Sequence, residues 1–531
     1  MNEPLLLVGI VIFICILLNK FLEKLPVPSL LIFIGLGMVF GENGLFRINF
    51  DNYEAVNIVC SICLIFIMFF GGFETNIKVA KPVLGQAITM STLGVIATAG
   101  GVALISRIFL SLPWLESFLI GSVISSTDAA SVFNILRSKN LALKYHTDSL
   151  LEVESGSNDP MSFMLTSVAI GLLAGRSINI PLLLIQQIVI GVSVGLAIGY
   201  LSVKLLHMDL LPTQQSHTIF LLAIMVLAYA IPSHFNGNGY LAVYLCGIWI
   251  GNAPLTQKKY LIHFFDVLTN VAQFQIFFLL GLLVTPVDLP GVFLPALILM
   301  FALSLIVRPL VSGLLLLPFR PDFRQVAMVS WSGLRGAASI VFAIGAMLSN
   351  VNLTYNLYNL IFCMVIMSIS VQGSSLSYFA KKLDMIDTSA DLRHTLNDYQ
   401  EDSDISFIKV QLCEDHSWAN KSLQQLNLPS ELLVAMIIRN EDILVPTGQT
   451  VLMPCDLLVI AAREFDDQEN FILSEIVVDK QKLYANKKLS QISQLNERRI
   501  ILIKRGVDTI IPSGQTLIKP GDVLILSKSQ I

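Results

Sequence analysis

The sequence predicts two unlike parts: a polytopic α-helical membrane domain over about residues 1–382, and a small α/β part after it. Three observations carry this. Of 531 residues, 54% are hydrophobic and only 14% charged, with a mean hydropathy of +0.72, outside the range of soluble globular chains. Up to about Ala380 the chain is a succession of apolar runs of roughly 16 to 29 residues, most of them long enough to cross a ~30 Å hydrocarbon core. An acidic stretch follows, with Asp384, Asp387, Asp391, Asp398, Glu401, Asp402 and Asp404. We read residues 383–404 as a solvated linker, because beyond it the apolar runs shorten to strand length. The net charge of −4 leaves no electrostatic footprint for nucleic acid, so membrane lipid is the first partner implied.

Taken in order, the runs place thirteen spans at about 4–20, 28–44, 55–73, 83–109, 114–136, 147–174, 180–206, 217–232, 238–253, 262–285, 290–318, 324–348 and 355–380. The first lacks a small-residue cleavage site behind it and reads as a helix, not a signal peptide. With the N-terminus outside, the cytoplasmic loops carry Lys20, Lys24, Lys78, Lys81, Arg137, Lys139, Lys144, Lys204, Lys258, Lys259, Arg320 and Arg324. The opposite loops carry Arg47, Arg107 and Arg176. This positive-inside bias places the C-terminal part in the cytoplasm and the helices in a plasma membrane. Seven cysteines are scattered. Cys60 and Cys63 form a C-x-x-C, but on a membrane helix they read as packing residues and not as a redox pair.

Charge inside these spans is expensive, about 2.5–3.5 kcal/mol per residue even on insertion scales. Yet the sixth span contains Glu152, Glu154, Ser155, Asn158 and Asp159. The fifth carries Ser125-Ser-Thr-Asp-Ala-Ala-Ser131, with Asp128 near its midpoint. The eleventh carries Arg308 before Pro309, and the twelfth carries Ser332-Gly-Leu-Arg-Gly-Ala-Ala-Ser339, with Arg335 near mid-depth. Carboxylates and guanidiniums at one depth should pair or line a wet cavity. Thr127-Asp-Ala-Ala-Ser131 and Arg335-Gly-Ala-Ala-Ser339 also resemble each other on oppositely directed spans, as an inverted repeat of broken helices would. Glu154 and Asn158 share one helical face, and Ser155 and Asp159 the adjacent one. Glu154, Arg308, Arg335 and Glu152 read as a structural ion-pair set. Asp159 is left over, because two central arginines face at least three central carboxylates. A buried carboxylate without a partner holds either a proton or a small cation, and that competition is the minimal chemistry of exchange.

These residues resemble the NhaP-type monovalent cation:proton antiporters of the cation:proton antiporter-1 family. The matching pieces are Thr127-Asp128, Glu152-Val-Glu-Ser-Gly-Ser-Asn-Asp159 and Gly333-Leu-Arg-Gly336. The resemblance implies a homodimer of thirteen-helix protomers, a crossed pair of unwound helices and an elevator-like motion. It implies that Asp159 binds the cation or proton, with Thr127, Asp128, Ser155 and Asn158 around it. Glu154 is then the salt-bridge acid, with Arg308 favoured as its partner and Arg335 stabilising the broken helix. Asn158 replaces the first aspartate of the electrogenic members, which implies one cation per proton. Ser-Gly-Ser-Asn-Asp-Pro around Asp159 is similar to the potassium/proton branch. Oxygen ligands alone do not separate K⁺ from Na⁺.

The tail contains a duplication at a spacing of 66 residues. Trp418-Ala-Asn-Lys-Ser-Leu423 answers Tyr484-Ala-Asn-Lys-Lys-Leu489, Val445-Pro-Thr-Gly-Gln-Thr450 answers Ile511-Pro-Ser-Gly-Gln-Thr516, and Pro454-Cys-Asp456 answers Pro520-Gly-Asp522. Over 418–460 the copies share sixteen identities without a gap, a true internal repeat. Each copy, 405–466 and 467–531, reads as strand, short helix, strand, turn, strand. The Pro-x-Gly-x-Thr and Pro-x-Asp signatures resemble TrkA-C (RCK C-terminal) domains. That likeness implies pairing of the copies and a regulatory pocket near Pro446, Gly448, Thr450, Pro512, Gly514 and Thr516, with a small regulator such as cyclic di-AMP. No G-x-G-x-x-G follows a strand in the tail, so the nucleotide-binding half of an RCK unit is not expected.

Two other readings compete with exchange. In one, a channel is gated by the same tail, but its sole filter candidate, Asn236-Gly-Asn-Gly-Tyr240, lacks the preceding Thr-Val. In the other, a receptor carries a vestigial transport core, which the intact Asp128 and Asp159 argue against.

Overall fold

In an apolar medium the backbone has no water to bond, so the long apolar runs must close their hydrogen bonds internally as helices. The computed structural model describes Gly9, Phe13, residues 29–387 and residues 405–528, apart from 43, 46, 48–51, 129–130, 133–134, 137–140, 178, 209–212, 256–257, 350, 413–415, 417, 427, 429–431, 440–441, 464–472, 479–486, 492–497, 506–507, 511 and 513–514. The helices are α1 Ser29–Phe40, α2 Tyr53–Glu74, α3 Ile77–Phe109, α4 Trp114–Ile124, α5 Thr147–Leu173, α6 Ile180–Leu206, α7 Gln214–His234, α8 Gly239–Gly251, α9 Lys258–Leu283, α10 Pro286–Phe319, α11 Phe323–Trp331, α12 Ala337–Met347 and α13 Leu357–Lys382. Seven of them are long and apolar enough to cross a membrane by length and composition.

Spans two to thirteen of the sequence reading each fall on one or two of these helices. The first span, but for Gly9 and Phe13, lies outside the described residues, as do Lys20, Lys24, Arg137, Lys139 and the acidic residues from Asp391 to Asp404. Caps set the boundaries that apolar periodicity misplaces. Asn76 accepts from the Lys78 and Val79 amides, so α3 starts at Ile77, a turn and a half before the expected 83. Asn238 caps α8 in the same way through the Leu241 amide, at 3.0 Å, which makes the supposed filter segment a helix start.

Two spans are interrupted. Helix α4 ends at Ile124 and helix resumes by residue 131, while α11 ends at Trp331 and α12 starts at Ala337. Three π-helical turns, at 90–94, 303–307 and 368–373, lie within α3, α10 and α13. Such turns recur at functional positions. The main apolar core joins α1, α2, α9, α12 and α13. A smaller cluster includes Leu143, Leu150, Met328, Leu376 and Met385.

Residues 383–387, read as linker, are instead strapped to the loop before α5. Lys144 N–H donates to Met385 O at 2.8 Å, and Asp387 N–H donates to Ala142 O at 3.0 Å. The Asp384 carboxylate lies 3.1 Å from Lys144 and 3.0 Å from Arg324. Both cations hold it below the usual carboxylate range, Lys144 most.

The tail, residues 393–531, is a separate unit. Its strands are β1 Ile405–Gln411, β2 Leu432–Arg439, β3 Asp442–Leu444, β4 Leu457–Arg463, β5 Leu473–Val477, β6 Arg498–Arg505, β7 Asp508–Ile510 and β8 Val523–Lys528. They form two antiparallel sheets of the same order, β1-β4-β2-β3 and β5-β8-β6-β7. Both show a register shift at equivalent places, Val434/Met436 and Ile500/Leu502, so the duplication extends to backbone detail. Each copy has four strands where three were expected. The extra one is a three-residue hairpin return, too short to show periodicity.

Each sheet carries a fork. Arg439 donates through Nε and Nη2 to Asp456 at 2.8 and 2.7 Å, and Arg505 does the same to Asp522 at 2.8 and 2.9 Å. The guanidinium beside each aspartate holds its carboxyl below the usual range. This explains the Pro-x-Asp signature as a buried ion pair that ties a turn to a strand. The Pro-x-Gly-x-Thr residues also have backbone duties. Gln424 N–H donates to Gly448 O at 2.8 Å, and Leu423 and Leu489 N–H donate to Thr450 O and Thr516 O at 3.1 and 3.0 Å. Gly514 lies outside the described residues.

Candidate cation site

Helix α5 lies along the first break and zips onto it. Ser162 Oγ donates to Ser122 O at 2.6 Å, Ser126 Oγ to Asp159 Oδ1, Asn158 Nδ2 to Thr127 Oγ1 at 2.5 Å, and Ser155 Oγ to Thr127 O at 2.6 Å. These side chains sit at positions i, i+3, i+4 and i+7, one face of a helix. The arrangement answers the carbonyls and hydroxyls that the break exposes.

The two breaks also hold each other. Asp128 N–H donates to Leu334 O at 2.8 Å. Arg335 Nη1 donates to Ser125 O and Ser126 O at 2.9 and 2.7 Å. Its guanidinium thereby sits at the negative end of the α4 dipole. Asp128 accepts from Ser131 N–H at 3.2 Å and from Ser131 Oγ at 2.5 Å, at the positive end of the helix that resumes. Gly336 is needed for this proximity, and Gly333 makes room for Arg308 of α10. A Cβ on Gly336 would run into the Asp128 carboxylate, and one on Gly333 would lie 2.9 Å from Arg308 Nε.

Glu154 and Arg308 form a buried ion pair, Oε1 to Nη2 at 2.5 Å, with both side chains at most 3% exposed. Glu152 faces elsewhere and lines the cavity beside Asp159. Asp159 is 7% exposed, and among the described residues no lysine or arginine pairs with it. Its bonded neighbour is a neutral hydroxyl.

A cavity of about 140 Å³ opens against this carboxylate, room for several waters. Ser126, Thr127, Asp128, Glu152, Ser155 and Asp159 line one wall. The opposite wall includes Asp266, Thr269, Asn270 and Gln273 of α9, with Glu74 at the end of α2. Sequence reasoning missed this wall. Its signal was present as a polar stripe at i, i+3, i+4 and i+7 in an otherwise apolar helix. The wall presents hydroxyl, amide and carboxylate oxygens, which suit a hard monovalent cation and not a soft transition metal. Cys60 and Cys63 are buried free thiols away from it, with Cys63 Sγ 3.7 Å from Gln275 Oε1.

Residues 9–382 match the family described as sodium/hydrogen exchanger, transmembrane. The TrkA-C domain matches twice, at 409–464 and 473–530. The chain is 32% identical over 471 residues to the K⁺/H⁺ antiporter NhaP2 of Shewanella sp. (strain ANA-3), covering 87% of this chain and 82% of that one. It is 33% identical over 472 residues to the K⁺/H⁺ antiporter NhaP of Alkalimonas amylolytica, covering 88% and 82%. A Na⁺/H⁺ antiporter of Methanocaldococcus jannaschii is 26% identical over 350 residues, 63% of this chain and 81% of that one. The solved structure of the sodium proton antiporter MjNhaP1 from the same organism has the same fold, with a TM-score of 0.64 and 24% identity over 71% of this chain and 97% of that one. The chain thus belongs to the sodium/hydrogen exchanger family and carries two TrkA-C domains behind its membrane part.

Proposed function

We propose that this protein exchanges a monovalent cation, K⁺ foremost, for a proton across a bacterial plasma membrane, one for one. Asp159 carries either the proton or the cation. The supporting observation is the unequal treatment of two acids on one helix. Glu154 has its own arginine, whereas Asp159 has a serine hydroxyl and a cavity large enough for several waters. A neutral carrier site then exists only when Asp159 is loaded, with H⁺ or with the cation, and an empty charged site is costly to move through lipid. Ser155, Thr127, Ser126 and Asn158 supply oxygens beside it, Asp128 lies at the crossing, and the α9 stripe forms the facing wall. Asn158 in place of a second acid supports the one-for-one ratio.

The cavity reaches Glu74, the last residue of α2. Lys78, Lys81 and Lys258 adjoin that end, so we infer that it is cytoplasmic and that the N-terminus is outside. The choice of K⁺ rests on the relatives named as K⁺/H⁺ antiporters. Na⁺ is the second reading, favoured by the archaeal relative. A homodimer is expected from the family likeness. The TrkA-C tail is inferred to be regulatory, sensing a small ligand of which cyclic di-AMP is one candidate. The chain of the tail is continuous with the 383–387 strap, which hydrogen bonds hold to the loop preceding α5.

The test is a pH-dye dequenching assay in everted vesicles on addition of K⁺ or Na⁺, with and without thiocyanate to collapse the membrane potential. The expected result is proton movement at lower K⁺ than Na⁺ and unaffected by thiocyanate. No proton movement with either cation overturns the reading.

A further inference from the structure

The second break leaves backbone groups that the crossing partner does not satisfy. A helix that stops at Trp331 and restarts at Ala337 exposes carbonyls on one side and N–H groups on the other, and buried groups of this kind must find partners. Leu334 O is taken by Asp128. Two others, Arg335 N–H and Trp331 O, turn to α13. Arg335 N–H donates to Ser368 Oγ at 3.0 Å. The same hydroxyl donates to Gln372 Oε1 at 2.7 Å, and Gln372 Nε2 donates to Trp331 O at 3.3 Å. Three hydrogen bonds therefore run in series from one lip of the break to the other, through two side chains that are 0% and 2% exposed. Both residues stand in the π-helical turn 368–373. Neither touches the cavity.

We propose that Ser368 and Gln372 are positioning residues of the exchange site, acting as one relay that fixes Arg335. The physical consequence runs outward from that arginine. Its guanidinium holds Ser125 O and Ser126 O, and Ser126 in turn donates to Asp159. Loosening the Arg335 backbone therefore lets the hydroxyl beside Asp159 drift, without changing any group that meets the cation. A serine is suited to the middle position because one hydroxyl both accepts and donates. An alanine there removes both bonds at once and strands the glutamine as well. This inference rests on the exchange reading for its transport readout and is independent of it for its structural one.

The experiment compares wild type, Ser368→Ala, Gln372→Ala, the double variant and Ser368→Thr, as purified full-length protein. Amide hydrogen exchange is followed over the Leu334–Ala338 segment, and K⁺-driven proton exchange is measured in proteoliposomes. The relay predicts faster amide exchange there in both alanine variants. It also predicts a severalfold rise in the KM for K⁺ that exceeds any fall in maximal rate. The double variant is expected to be no worse than the poorer single one, and Ser368→Thr is expected to restore KM because it keeps the hydroxyl. Unchanged amide exchange in both alanine variants would overturn the relay whether or not the vesicles transport. Effects that multiply in the double variant, or a loss of thermal stability with KM unchanged, would equally show that the two residues only fill space.

Discussion

The membrane part and the tail each bury aspartates, and they treat them in opposite ways. Asp456 and Asp522 are at most 1% exposed, and each receives a bidentate arginine and a backbone amide. Asp159 is almost as buried, yet it receives a serine hydroxyl and lines an open cavity. Glu154, five residues away on the same helix, follows the tail's pattern and takes Arg308. A buried carboxylate supplied with a guanidinium is finished as a structural element. One left without a cation must obtain positive charge from outside, and only a proton or a dissolved cation is available.

The strongest way to break this contrast is to neutralise each acid in turn. Asp159→Asn should abolish cation-driven proton movement in vesicles while leaving the purified protein as thermally stable as wild type. A variant that still exchanges would place the chemistry elsewhere. Glu154→Gln should behave in the reverse sense, costing about 3–5 kcal/mol by leaving Arg308 charged and alone. A lowered melting temperature in detergent checks this, and replacing both partners with apolar residues of similar volume should recover most of the loss.

In the tail, Asp456→Asn should cost about 2–3 kcal/mol, the worth of hydrogen bonds to a charged partner in a largely buried setting. Its effect should appear in denaturant unfolding of the tail signal without altering the KM for K⁺ at the membrane site. The pH dependence has a definite sign. Asp456 and Asp522 titrate below their unfolded value of about 3.9, with the arginine hydrogen bonds the largest cause. Their stabilisation is therefore fully present above about pH 4 and is lost as pH falls through the lower folded value. Tail melting followed from pH 6 to pH 2 should show that loss, and the Asp456→Asn variant should show less of it.

The smallest effect is expected at the strap. Asp384 is exposed, and its pairs with Lys144 and Arg324 should contribute no measurable global stability. Asp384→Asn should instead speed amide exchange at Ala142–Lys144. Truncation after residue 387 should preserve slow exchange there, whereas truncation after residue 382 should not.

Much of the site was legible before any coordinates because ionisable residues are conspicuous inside apolar runs. Asp128, Glu154, Asp159, Arg308 and Arg335 were all visible on that ground, and counting two arginines against three acids was enough to single out Asp159. The facing wall on α9 escaped. Asp266 stands only four residues inside the expected span start at 262 and passed as an end charge, while Thr269, Asn270 and Gln273 carry no charge, so α9 read as an ordinary span. Ser368 and Gln372 gain their importance only when a break in another helix is placed beside them. Arg439 and Arg505 had a signal that was overlooked, since both belong to the sixteen identities shared by the repeats. The three-residue strands and the strap were not legible, because their backbone pairing is set by chain crossings that no local periodicity records.

The central claim is that cation and proton compete for Asp159. It is tested most directly by titrating K⁺ into purified, unbuffered protein and recording the protons released. The account predicts cation-linked proton release from wild type that approaches one per protomer as the starting pH falls until Asp159 is protonated, and none from Asp159→Asn. Equal release from both proteins would contradict it.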